Sequence, residues 1–150
     1  MAEFVEASPT TTRPVGALSH LHRFLGGFPT AFFALAALTD FAYINSANLM
    51  WSHFSAWLIL AALVTGVLAV LAGGADWLTG GARGRRGVGW HLGLTLLALV
   101  VGAVNLLVHF RDGWTAVMPE GMILSVVTVV LLFAGGIAAA IADRRGEVRA

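Results

Sequence analysis

The chain lacks cysteine and lysine, and it carries few charges of either sign. Without cysteine it cannot form a disulfide, a zinc–thiolate site, a cysteine-ligated iron–sulfur cluster or a c-type haem attachment. Only 11% of its 150 residues are charged, whereas a soluble domain carries about a quarter. The formal net charge of +1 gives no basic surface for nucleic acid. These shortages exclude a water-soluble globule, a disordered chain and a nucleic-acid-binding protein.

Long apolar runs are what the chain has instead. Charged residues are absent from 35 positions at 41–75, from 24 at 87–110 and from 22 at 121–142, and a membrane-spanning helix needs about 20. The first run is long enough to hold the end of one span, a turn at Asn45–Asn48 and a second span. The runs lack the alternation of a barrel strand. We therefore predict four transmembrane helices at about 24–44, 55–78, 88–110 and 122–142.

The arginines predict the orientation of this all-α, four-transmembrane-helix bundle with up-down-up-down topology. Eight of the nine lie before helix 1, between helices 2 and 3, or after helix 4, and only Arg111 falls on the other side. The positive-inside rule then places both termini in the cytoplasm and the bundle in the inner membrane. Residues 1–20 are predicted to be a flexible tail, with a short surface helix over Val15–Leu25, and 144–150 a charged tail.

Small and polar residues recur at helical spacing in three of the spans, and in lipid such residues mark packed faces. We expect these faces to meet inside one bundle, with Gly66, Gly73 and Gly135 allowing close packing. The predicted faces are Ala62, Gly66, Ala69, Gly73 and Asp76 in helix 2, His91, Thr95, Ala98, Gly102, Asn105 and His109 in helix 3, and Ser125, Thr128, Leu132, Gly135 and Ala139 in helix 4.

Two carboxylates, Asp40 and Asp76, lie near the ends of helices 1 and 2. A charge at the centre of a span costs about 2.5–3.5 kcal/mol on insertion scales, and less near the ends, so both should have partners. The expected partners of Asp40 are His109, Arg111 and Tyr43. Those of Asp76 are His91, Arg23 and the arginines of the following loop. Salt bridges that lock helices together are one interpretation, and a proton relay or ligand pocket is the other.

Five histidines supply the remaining candidate chemistry, because imidazole binds haem iron and other metals. His22 and His91 belong to helices that run in the same direction, and they could flank a flat cofactor such as haem b. His53 and His109 form a second candidate pair near the opposite surface. No spacing typical of a metalloenzyme and no complete set of catalytic residues is present, so the sequence does not favour an enzyme. The alternative is that these histidines cap helix ends.

Several short motifs resemble a known family. The run His22–Ala31 is similar to a His-Pro-x-x-x-x-Phe-Pro-Ile-Ala opening, Thr39–Tyr43 to a Thr-Asp-x-Ala-Tyr element, and Trp90-His91 with Asn105 to the third helix of the bacterial membrane family catalogued as domain of unknown function 2231. The ends of the second helices also match, here at Gly73, Gly74 and Asp76. The resemblance implies a four-span protein of unestablished function. Some relatives are fused to cytochrome c or Rieske-type domains, which implies redox partners.

Two departures from the family pattern narrow the candidate ligands. Arg23 stands where the family has proline, and Gly27 stands where some members have a second histidine. His22 and His91 are the ligands that remain. The leading hypothesis is a haem-b-binding electron-transfer module. The alternatives are a non-catalytic scaffold or accessory subunit, which would form a homo-oligomer or bind a partner protein in the bilayer, and a small proton-coupled carrier that uses Asp40 and Asp76.

Overall fold

Four helices make up the part of the chain that the computed structural model describes, which is residues 16–79, 88–111 and 117–147. They are α1 (Ala17–Ser46), α2 (Leu49–Leu78), α3 (Val88–His109) and α4 (Glu120–Glu147). Each contains a stretch long and apolar enough to cross a membrane. The all-α, four-span prediction is confirmed, whereas the up-down-up-down order and the cytoplasmic termini stay predictions. Most of the predicted N-terminal tail and the arginines at 83, 85 and 86 lie outside the described residues.

The helix boundaries differ from the predicted ones mainly at the start of α1. Ala17–Leu25 is not a separate surface helix but the first part of α1. It is held against the end of α2, because the Ser19 hydroxyl donates to Asp76 at 2.6 Å and a ring nitrogen of His22 lies 2.8 Å from the Ala69 carbonyl. These contacts extend α1 by about two turns beyond the predicted start.

The predicted turn between the first two helices is confirmed, and it is shorter than expected. α1 ends at Ser46, and Ala47 takes a left-handed conformation with φ 51°. Asn48 then caps α2, because its side-chain oxygen accepts from the Met50 amide at 3.0 Å. This cap starts α2 at Leu49, six residues before the predicted start. α4 likewise extends past the predicted limits at both ends.

Small residues and a few large apolar ones fill the interior of the bundle, and many large apolar side chains face outward. The buried core contains Phe33, Ala36, Ile59, Ala62, Ala98, Leu99 and Leu132. Trp57, Leu71, Leu107 and Phe110, by contrast, are each more than 60% exposed. Exposing such residues to water costs free energy, whereas lipid tails solvate them. The predicted packing faces of α2, α3 and α4 are the inward-facing ones.

Gly102 of α3 leaves room for the ring of Phe33 of α1. A methyl group at this position would lie 2.4 Å from Cζ of Phe33, a ring with no exposed surface and therefore little room to move. We expect Gly102→Ala to destabilise the protein by about 1–3 kcal/mol through overpacking. The measurement is the unfolding free energy in mixed micelles. Gly93→Ala is the control because nothing lies within 4 Å of its added methyl group, and equal effects of the two substitutions would refute the packing account.

Candidate functional site

Polar side chains gather in two separate clusters along α1. The His22 cluster consists of Ser19, His22, Asp76 and His91, and the Asp40 cluster consists of Asp40, Asn105, His109 and Ser125. Asp40 follows His22 by 18 residues, which in a helix rising 1.5 Å per residue corresponds to about 27 Å. Phe33 and its apolar neighbours fill the bundle between them. The two clusters are therefore separate sites.

The Asp40 cluster joins three helices through one carboxylate. Nε2 of His109 lies 2.9 Å from Oδ1 of Asp40, and the Ser125 hydroxyl donates to Oδ2 at 2.5 Å. The Asn105 amide in turn donates to the Ser125 hydroxyl at 2.8 Å. Asp40, Asn105 and Ser125 have no exposed surface. The structure thus brings Asp40 to the expected His109, and it adds Ser125, which the sequence placed on the packing face but not beside a carboxylate.

Arg111 is not a member of the Asp40 cluster. It lies just beyond the end of α3, and its guanidinium contacts the Glu120 carboxylate at 3.3 Å, with both side chains 55% exposed. An ion pair this exposed adds little stability. Tyr43, another expected partner of Asp40, is buried beside Val117. Of the three expected partners, His109 is the one with an observed bond to Asp40.

His109 and His53 line one cleft but are engaged very differently. The cleft has a volume of about 360 Å³ and is lined mainly by α2 and α3, including Trp57, Phe110 and Arg111. His53 is exposed there. The ring of His109 is buried, and its Nδ1 lies 3.0 Å from the Asn105 carbonyl while Nε2 contacts Asp40. His109 therefore offers no free ring nitrogen to a cofactor in this arrangement.

The His22 cluster brings together the other predicted pair. The ring centroids of His22 and His91 are 5.9 Å apart, and the ring planes are inclined by 79°. Nδ1 of His22 lies 2.8 Å from the Ala69 carbonyl, which leaves Nε2 as its available ligand atom. Nδ1 of His91 is buried and has no hydrogen-bond partner among the described residues. His22 of α1 and His91 of α3 thus lie close together, and their ring nitrogens are not all hydrogen-bonded within the described residues.

Two glycines make room for these imidazoles. A methyl group added at Gly73 of α2 would lie 2.7 Å from Nδ1 of His22, and one at Gly135 of α4 would lie 3.6 Å from Nδ1 of His91. At the adjacent Gly74 and Gly136 an added methyl group would meet nothing within 4 Å. Gly73 and Gly135 were predicted as packing residues; His22 packs against Gly73, and both Leu94 and His91 pack against Gly135.

Asp76 has a partner that the sequence did not reveal. Its carboxylate accepts the Ser19 hydroxyl at 2.6 Å and is 7% exposed. Arg23, one expected partner, is exposed, and the loop arginines lie outside the described residues. Ser19 precedes His22 by three residues and so shares its helical face. That spacing was the available signal, but it requires knowing that α1 already begins at Ala17.

The donor set limits the metals that could bind. Within residues 16–79, 88–111 and 117–147, no group of three or more histidine, aspartate or glutamate side chains is arranged to hold a metal ion. A closed tetrahedral site needs four ligands, whereas haem iron takes at most two from the protein. His22 and His91 are the two candidate ligands that the described residues bring together, in an edge-to-face contact with ring centroids 5.9 Å apart.

Comparison with known proteins agrees with the resemblance seen in the motifs. Residues 19–148 match the family model described as "Predicted membrane protein (DUF2231)". The match begins at Ser19 and so includes both polar clusters and all four spans. No curated protein and no solved structure matches the chain.

Proposed function

We propose that this protein is a membrane-embedded electron-transfer module that holds haem b between His22 and His91. The premise is that the chain belongs to the DUF2231 family of predicted membrane proteins. The observation that carries this proposal is the meeting of these two rings inside the bundle, at a centroid distance of 5.9 Å. A redox protein in or on the membrane would be its partner.

The surroundings of the two histidines support a ligand role. Histidines that bind metals commonly donate their second ring N–H to a backbone carbonyl, which fixes the ring. The contact between His22 and the Ala69 carbonyl has this form. Gly73 and Gly135 shape the walls around both rings. Haem, when bound, supplies one-electron chemistry, and the protein's part is to present two fixed imidazoles and exclude water.

The haem proposal predicts a histidine-dependent Soret band. We expect protein purified in detergent from cells supplied with haem precursor to show this band and sharp α and β bands after reduction. His22→Ala and His91→Ala should each lose most of the bound haem, because one of the two imidazoles that would hold it disappears. His53→Ala is the matched control, since that histidine is exposed and distant. Equal haem content in all variants would contradict the proposal, and a colourless protein with a stable crosslinked partner would favour the accessory-subunit alternative.

We also propose that the protein lies in the inner membrane with the His22 cluster at its cytoplasmic side, as the arginine distribution suggests. Because the chain has no cysteine, single cysteines can report its orientation directly. A membrane-impermeant maleimide should label Asn45→Cys in intact spheroplasts and Thr79→Cys only after permeabilisation, since both positions are exposed, Asn45 in the last turn of α1 and Thr79 just after α2. The reverse labelling pattern would invert the proposed topology.

A further inference from the structure

The hydrogen bonds of the Asp40 cluster determine where protons must lie. A backbone carbonyl can only accept a hydrogen bond, so Nδ1 of His109, 3.0 Å from the Asn105 carbonyl, carries a hydrogen. A neutral imidazole has one N–H, and this bond already uses it. Nε2 would then present a lone pair to Oδ1 of Asp40 at 2.9 Å. Two lone pairs do not attract each other at this distance, so a further proton is required between them.

We propose that Asp40 and His109 together form a proton-binding site, and that the folded protein holds one proton between Oδ1 of Asp40 and Nε2 of His109. Compared with a neutral histidine beside an ionised aspartate, the pair carries one additional proton. The site is separate from the His22 cluster and does not depend on any cofactor bound there.

The other members of the cluster indicate which partner holds the proton. The Asn105 amide donates to Ser125, which orients the serine hydroxyl so that it donates to Oδ2 of Asp40. A donor aimed at a carboxyl oxygen favours the ionised form. The proton therefore resides on Nε2, and the pair is an imidazolium beside a carboxylate.

The charged and titratable groups near the pair do not neutralise the Asp40 carboxylate in place of this proton. His53 of α2 and Arg111 beyond α3 line the cleft that reaches His109. Glu120 of α4 contacts Arg111 and offsets its charge. Tyr43, one turn from Asp40 on α1, is buried. His53, Arg111 and Glu120 have no observed bond to Asp40 or His109, so the proton between the pair is what neutralises the carboxylate.

The site lies between a cleft and the apolar core. The cleft with His53 and Arg111 extends to His109 at one end of the bundle, although the side chains of His109 and Asp40 have no exposed surface. Toward the His22 cluster, Phe33 packs against Gly102 and apolar side chains surround it. Loss of the proton would remove the bond that ties α1 to α3 at this level.

Nitrogen-15 spectroscopy of the full-length protein in lipid tests this proposal. The spectrum is recorded at pH 8, and the exposed His20 and His53 serve as internal controls. We expect His109, assigned by its loss in His109→Gln, to show two protonated nitrogens. One unprotonated nitrogen together with an infrared carbonyl band of protonated Asp40 would still support a proton held by the pair. One unprotonated nitrogen without that band overturns the proposal.

The Asp40→Asn substitution distinguishes a proton bound by the pair from a hydrogen bond between neutral groups. In Asp40→Asn the amide needs no neutralising proton, so His109 should become neutral at pH 8 and one ring nitrogen should lose its proton. Ser125→Ala retains the carboxyl group, so the pair should keep its additional proton, on His109 or on Asp40. If Asp40→Asn does not fold, Ser125→Ala and the wild-type spectrum decide the question, and a wild-type His109 with one unprotonated nitrogen and no band of protonated Asp40 counts against the proposal.

Discussion

Asp40→Ala is expected to destabilise the protein more than any other single substitution in the bundle. It leaves the buried His109 ring and the Ser125 hydroxyl without their common acceptor. Removing one partner from a buried ion pair costs about 3–5 kcal/mol. The measurement is the unfolding free energy, obtained by titrating mixed micelles with a denaturing detergent and following helical content.

Asp76→Ala is the matched control for that experiment. It also removes a buried carboxylate near a helix end, but here one serine hydroxyl loses an acceptor. Hydrogen bonds between helices in membranes are worth about 0.6 kcal/mol on average and up to about 1.7. The Asp76 variant should therefore be much the more stable of the two. Similar losses for both would show that Asp40 is not the centre of a charged network, and the Asp40→Ala/His109→Ala double variant would measure the coupling between the pair.

Gly73→Ala is expected to have the largest effect on the His22 cluster of any change outside its histidines. The added methyl group would lie 2.7 Å from Nδ1 of His22, so the ring must move and its bond to the Ala69 carbonyl must break. Loss of such a supporting bond typically costs 10- to 100-fold in metal affinity. We expect haem affinity, measured by titration of the Soret band, to fall by about this factor.

Gly74→Ala provides the control because it makes the same chemical change one residue away, where nothing lies within 4 Å. Its haem affinity should equal that of the wild type, and helix propensity slightly favours alanine. Gly135→Ala should have a smaller effect than Gly73→Ala, since its methyl group would lie 3.6 Å from His91. If Gly73→Ala and Gly74→Ala bind haem equally, the glycine does not shape the site.

The sequence predicted the number of spans and their packed faces because both depend on local patterns. Charge-free runs reveal spans, and the spacing from His91 to His109 reveals one face of α3. The same patterns do not fix the depth and rotation of one helix relative to another. For this reason Asp40 could be assigned several partners, and the role of Ser125 as its hydrogen-bond donor emerged only from the three-dimensional arrangement.

The start of α1 likewise could not be predicted from the local sequence pattern. Residues before Phe24 are less apolar than the span itself, so composition alone ends the predicted helix there. In the structure, Ser19 and His22 extend the helix by bonding to α2 at Asp76 and Ala69. Tertiary contacts thus override the local pattern. The consequence for function is direct, because the extension places His22 inside the bundle and opposite His91.

Electron paramagnetic resonance of the haem-loaded ferric protein tests most directly whether His22 and His91 would together hold the haem. Because both imidazoles would then bind the iron, we predict a low-spin signal in the wild type. In His91→Ala this signal should be replaced by a high-spin one. A wild-type spectrum that is high-spin only, or a low-spin signal that survives in both His22→Ala and His91→Ala, would contradict the account.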